Sequence, residues 1–128
     1  MTTPGVAPRR ILVVEDEALV AMMVQDLLQD GGYTVVGPAS RIAVALRLAE
    51  NEALEAAVLD VNVAGETIFP VADILAGRGI PVVFLTGYGR GGLPEPYRRH
   101  AVIDKPIDPE KLTAALAAAL ASPPSGTD

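Results

Sequence analysis

The stretch that most constrains this chain is Ala56-Ala57-Val58-Leu59-Asp60, an apolar run without polar alternation that stops on a carboxylate. A strand with one face in water alternates apolar and polar residues, so an unbroken run suits a parallel sheet covered on both faces. In open sheets of that type, ligands bind in the crevice beyond the carboxyl ends of the strands. Two further runs end in the same manner: Ile11-Leu12-Val13-Val14 on Glu15-Asp16, and Pro81-Val82-Val83-Phe84-Leu85 on Thr86. If the three are parallel neighbours, their terminal polar residues meet at one rim.

The segments between these runs supply helical crossovers. Glu17 to Gln29 is predicted as the first helix, with Leu19, Met22, Met23 and Leu27 at core spacing, the methionines as core filling, and Gly31-Gly32 ending it. Tyr33 to Gly37 reads as a second strand that Pro38 stops. Ser40 then caps a helix to about Glu50, with Ile42, Leu46 and Ala49 inward. After the Asp60 strand come a loop with Gly65 and a short helix from Ile68 to Ala76, whose first turn tolerates Pro70. Gly77-Arg78-Gly79 turns into the fourth strand, Pro81 to Leu85.

From Gly87 to Pro96 the alternation falters: four glycines and two prolines in ten positions predict a fourth helix that is short or irregular, a turn near Glu95 to His100. Ala101-Val102-Ile103 is a short fifth strand and Lys105-Pro106 a turn. Asp108-Pro109-Glu110 combines cap, first-turn proline and acidic residue at the start of the last helix, with Leu112, Leu116 and Leu120 as its apolar row. The expected fold is α/β, a doubly wound five-stranded parallel sheet built from right-handed crossovers. The domain is expected over residues 10–121, with a disordered lead at 1–9 and a flexible tail at 122–128.

Composition narrows the function. At 128 residues, 50% hydrophobic and 20% charged, the chain has the size and balance of one globular domain. Ten Lys+Arg against 16 Asp+Glu leave −6, which argues against a nucleic-acid surface; Arg98-Arg99 is read as solvated surface. The absence of cysteine excludes disulfides, thiolate metal sites and thiol catalysis, and fits a reducing cytoplasm. Met1 to Pro8 carries no secretory apolar core and no run reaches membrane-spanning length, so a soluble cytoplasmic protein without membrane contact is expected. His100, the single histidine, is read as structural or exposed, since one His without a Ser or Cys partner makes neither a triad nor a zinc site. Gly87-Tyr88-Gly89-Arg90-Gly91-Gly92 fits the dinucleotide fingerprint, but Leu93-Pro94-Glu95-Pro96 opens no helix to hold a pyrophosphate.

The rim suggests a chemistry. Glu15, Asp16 and Asp60 share one pocket if the first and third strands are adjacent, and three such carboxylates repel unless a cation or protons enter. Oxygen ligands in an open pocket suit Mg2+, which keeps several waters and also grips a phosphate. Lys105 can reach back to Asp60 or to a phosphoryl oxygen, and Thr86 offers a hydroxyl to the same oxygen. This set suits acyl phosphate formation, with Asp60 attacking in line a phosphoryl group whose charge metal and ammonium hold. Glu17 is assigned only a dipole-stabilising place in the first turn of its helix.

Taken together and in order, Val13-Val14-Glu15-Asp16-Glu17, Val58-Leu59-Asp60, Phe84-Leu85-Thr86-Gly87 and Asp104-Lys105-Pro106 resemble the receiver domains of two-component response regulators, over roughly Arg9 to Ala121. The resemblance implies a flavodoxin-like strand order, 2-1-3-4-5. It implies that Asp60 takes a phosphoryl group from a histidine kinase or phosphotransfer protein. Asp16 and Asp60 would bind Mg2+ directly with the Asn62 carbonyl, Glu15 would be the second acid through water, and Thr86 and Lys105 would contact the phosphoryl oxygens. Asn62 and Tyr88 fall where relatives tune the loss of phosphate.

Phe84-Leu85-Thr86-Gly87-Tyr88-Gly89 is similar to the narrower Phe-Ala-Thr-Gly-aromatic subgroup, common in alphaproteobacterial stress signalling, with Leu85 in place of Ala. The loop after Asp60 lacks the family's usual Met-Pro, and Val102-Ile103 stands where an aromatic usually precedes the lysine. The expected switch is therefore the Gly87 to Pro96 segment, ordered when Thr86 is drawn to the phosphate. The expected function is a phospho-accepting switch that catalyses only its own phosphorylation and slow dephosphorylation. The alternatives are a small Mg-dependent phosphohydrolase with an Asp nucleophile, which Asn62 in the place of an acid disfavours, and a degenerate receiver acting as a binding module.

Overall fold

The three apolar runs form the centre of the sheet. The computed structural model describes residues 8–121. Most of the lead expected at 1–9 and all of the tail expected at 122–128 lie outside the described residues. The elements are β1 (Arg10–Val14), α1 (Ala18–Asp30), β2 (Thr34–Ala39), α2 (Ile42–Asn51), β3 (Ala56–Asp60), β4 (Asn62–Val63), β5 (Glu66–Thr67), α3 (Phe69–Gly77), β6 (Val82–Thr86), β7 (Ala101–Asp104) and α4 (Pro109–Ala121). Five parallel strands run in the order β2-β1-β3-β6-β7, and β4 and β5 make a separate antiparallel pair.

Burial explains the unbroken apolar runs. Every residue of β3 and β6 is buried. Successive side chains leave opposite faces of a strand, so each run feeds two cores. Leu12, Val14, Ala57, Leu59 and Phe84 pack with Ala45, Ala49, Val71 and Leu75 of α2 and α3. Ile11, Val13, Val58, Val83 and Leu85 pack with Val24, Leu28, Leu112 and Leu116 of α1 and α4. Each large side chain so buried contributes about 1.5–3 kcal/mol. The register pairs Val14 with Leu59, Asp60 with Leu85, and Thr86 with Asp104, so the carboxyl ends of four strands reach one edge together.

Three local expectations are corrected. In α1 the buried residues are Ala21, Val24 and Leu28, while Leu19, Met22 and Met23 face outward. This helix is apolar on adjacent stripes, and spacing alone does not choose between two stripes one residue apart. Pro38 does not stop β2, which continues to Ala39. β2 is an edge strand, where a missing N–H is tolerated, and a register shift absorbs the irregularity. Gly37 makes that shift possible: its φ is +100°, and a Cβ there would sit 2.7 Å from the Ala39 nitrogen and 2.9 Å from the Val13 oxygen. Ser40 does not cap α2; Arg41 is the capping position and makes no side-chain cap bond.

The Gly65 loop is a two-residue hairpin. Asn62 pairs with Thr67 and Val63 with Glu66, and Ala64 and Gly65 both take positive φ, 51° and 84°, as such tight turns require. Between β6 and β7 the chain forms only two short 3-10 turns, Arg90–Gly92 and Glu95–Tyr97, so no long helix follows the glycine-rich segment. At the start of α4, Asp108 accepts the Glu110 N–H at 2.9 Å, the cap read from the sequence.

Candidate functional site

Strand ends and a crossing lysine build the site. Glu15 and Asp16 follow β1, Asp60 ends β3, Thr86 ends β6, and Lys105 follows β7, tied back by its N–H to the Thr86 carbonyl at 2.8 Å. Oxygens of Glu15, Asp16 and Asp60 all lie within 4.8 Å of one another. Asp16, Glu17, Asp60, Asn62, Thr86, Tyr88 and Lys105 line an open cleft of about 400 Å3. The structure thus brings together every residue singled out for the rim, with Asn62 exposed on β4.

The acids are not equivalent. Glu15 is only 1% exposed, and Asp60 and Thr86 are also buried. Burial pushes the Glu15 carboxyl up to about 7; the Glu17 N–H, donating to its Oε2 at 3.0 Å, opposes the rise, and nearby Asp60 adds to it. Asp16 is exposed and accepts the Ala64 N–H at 2.9 Å, which fastens the β4–β5 hairpin over the site. The Thr86 hydroxyl accepts the N–H of Tyr88 at 3.0 Å, and the Tyr88 ring is exposed.

Lys105 is the charge that makes this arrangement tolerable. Its Nζ lies 2.8 Å from Glu17 Oε1, 3.0 Å from Asp60 Oδ2 and 3.0 Å from Glu15 Oε1. Burial alone would lower its pKa, but the facing carboxylates of Glu17, Asp60 and Glu15 outweigh that and hold the ammonium above the usual lysine range. The contact with Glu15 lacks hydrogen-bond geometry, so Glu15 Oε1 is a buried oxygen without a hydrogen-bond partner among the described residues. Three converging carboxylates with one oxygen unsatisfied fit a divalent cation of the Mg2+ type.

Glu17 was missed as a site residue. It occupies the cap position of α1 without making a side-chain cap bond, and its carboxylate turns to Lys105 instead. The only sequence signal was the third acid in the run Glu15-Asp16-Glu17. His100 is partly buried, its ring 5.6 Å from Phe84 in an edge-on contact away from the cleft.

A sequence model of the response regulator receiver domain matches residues 11–117. The chain belongs to this family. Family members are signalling proteins of two-component phosphorelays, and receiver domains bind Mg2+ at an acidic pocket such as the one Glu15, Asp16 and Asp60 form. The receiver is 35% identical over 89 residues to the transcriptional regulatory protein PdtaR of Mycobacterium tuberculosis, covering 69% of this chain and 43% of PdtaR. It is 32% identical over 117 residues to the phyllosphere-induced regulator PhyR of Methylorubrum extorquens, covering 86% of this chain and 43% of PhyR. It thus spans less than half the length of these relatives. The solution structure of SdrG from Sphingomonas melonis aligns with a TM-score of 0.79 and 42% identity, covering 90% of this chain and 98% of that one. Among the described residues, no helix is long and apolar enough to cross a membrane.

Proposed function

We propose that this receiver is a phospho-accepting switch in which Asp60 takes a phosphoryl group from a histidine kinase or phosphotransfer protein. The observation that carries this reading is the Asp60 carboxylate itself. It is buried at the rim, clustered with Glu15 and Asp16, and 3.0 Å from the Lys105 ammonium. An Asp60 oxygen attacks phosphorus in line and forms a P–O bond as the P–N bond to the donor imidazole breaks. The imidazole keeps the electron pair. Lys105 and the Thr86 hydroxyl then hold phosphoryl oxygens, and low exposure of both strand ends limits water.

Asp16, Asp60 and the Asn62 carbonyl would hold Mg2+, with Glu15 as the further acid. When bound, the cation neutralises charge on the transferring group and its carboxylate acceptor. Asn62, two places beyond Asp60, cannot protonate a leaving group, which weighs against a phosphohydrolase. The BeF3-activated conformation of SdrG from Pseudomonas melonis, at 41% identity, supports beryllofluoride as a phosphoryl mimic here.

The outward stripe of α1 supports a protein donor. Leu19 is 81%, Met22 57% and Met23 36% exposed, just beyond Glu17 at the cleft mouth. An exposed apolar group beside the acceptor suits docking of a partner helix, and methionines adapt to its surface.

Incubation with Mg2+ and acetyl phosphate, followed by intact mass, tests the reading. A phosphate adduct on the wild type that is absent from Asp60→Ala is expected. No adduct from small donors or kinases would favour the binding-module alternative, and steady release of free phosphate from the donor would favour a hydrolase.

A further inference from the structure

We propose that Glu17 is a positioning residue that holds the Lys105 ammonium in the free protein and competes with the phosphoryl group for it, thereby setting how tightly the cleft accepts that group. The proposal rests on the phospho-acceptor reading of Asp60. Among the three carboxylates around Nζ, Glu17 makes the shortest contact, 2.8 Å against 3.0 Å for both Asp60 and Glu15. The ammonium donates to Glu17 and Asp60 and lies against Glu15 as an ion pair, so a phosphoryl oxygen that approaches it competes with carboxylates already in place.

The three partners differ in their freedom to leave. Glu15 has no exposed side-chain surface, and its Oε2 is committed to the Glu17 N–H. Asp60 carries the incoming group itself. The Glu17 side chain is 62% exposed, so its carboxylate can swing into water without burying an unpaired charge. Nor does the helix need that carboxylate, since Glu17 stands at the cap position of α1 with no side-chain cap bond. Glu17 also lines the cleft with Asp60, Thr86 and Lys105.

An exposed ion pair is worth little, so its release shifts affinity by about two- to fivefold. The test is beryllofluoride binding to the full chain at saturating Mg2+, read as a dissociation constant from amide chemical shifts, for wild type, Glu17→Gln and Glu17→Asp. Glu17→Gln removes the charge, whereas Glu17→Asp keeps it but withdraws it by one methylene. Both variants are expected to bind about two- to fivefold tighter than the wild type. A role confined to the helix terminus would move stability and leave this constant unchanged. An unchanged constant in Glu17→Gln overturns the proposal. Tighter binding by Glu17→Gln with wild-type binding by Glu17→Asp also overturns it, because simple repulsion of an anion then explains the gain. A wild type that binds no beryllofluoride, and takes no phosphate on Asp60, overturns the phospho-acceptor reading and this proposal with it.

Discussion

Replacing Glu15 with glutamine should make the metal-free protein more stable, and increasingly so as pH rises. Glu15 is buried, and that burial lifts its carboxyl from 4.5 to about 7. Each pKa unit is worth about 1.4 kcal/mol, so ionising Glu15 within the fold costs about 3 kcal/mol. The sign follows from proton counting. Between the two values the folded protein keeps a proton that the unfolded chain has lost, so this contribution to stability is complete below the lower value and falls as pH rises towards the upper one. A glutamine side chain has the same shape and no proton to lose. Urea unfolding in chelator-containing buffer should show the stability of Glu15→Gln relative to wild type growing by about 2 to 3 kcal/mol between pH 5 and pH 8. The comparison across pH cancels any fixed effect of the amide on Lys105. Parallel pH profiles for the two proteins would refute the reasoning. The same proton competes with the cation, so wild-type Mg2+ affinity should weaken by about tenfold from pH 8 to pH 6.

Met22→Glu, on the exposed stripe of α1, should change unfolding free energy by less than about 0.5 kcal/mol. It should slow phosphotransfer from a protein donor while leaving labelling by acetyl phosphate unchanged; equal slowing with both donors would remove α1 from the docking surface. Gly37→Ala forces a Cβ against the Ala39 nitrogen and the Val13 oxygen at positive φ, and should lower stability by about 1–3 kcal/mol in thermal or urea unfolding; an unchanged midpoint would contradict that geometry. Amides in the Gly87 to Pro96 segment should gain protection from hydrogen exchange when Mg2+ and beryllofluoride are added, and equal protection in both states would sink its role as the switch.

Much of the fold was legible because its central strands are buried on both faces. Ala56 to Asp60 and the run ending at Thr86 need apolar side chains in both directions, and such runs have few other uses in a chain of this size. The helix after Asp108 was equally readable, since its cap bond forms between residues two apart. α1 misled for the opposite reason. Its sequence offers two apolar stripes, and only the position of β1 and α4 decides that Val24 and Leu28 turn inward while Met22 faces water. Pro38 misled because a proline stops a strand only where its missing N–H is needed, and β2 proved to be an edge.

The sequence by itself determined which groups stand at the rim. Glu15, Asp16, Asp60, Thr86 and Lys105 each follow or end an apolar run, and parallel strands in register carry run ends to one edge. What only the tertiary structure decided is how those groups divide their work. Burial separates Glu15 from exposed Asp16, although they are chain neighbours. The turn after β7 brings Lys105 onto three carboxylates at once, Glu17 among them. Charge interactions depend on distance and desolvation across the fold, and neither quantity is written in the order of residues along the chain.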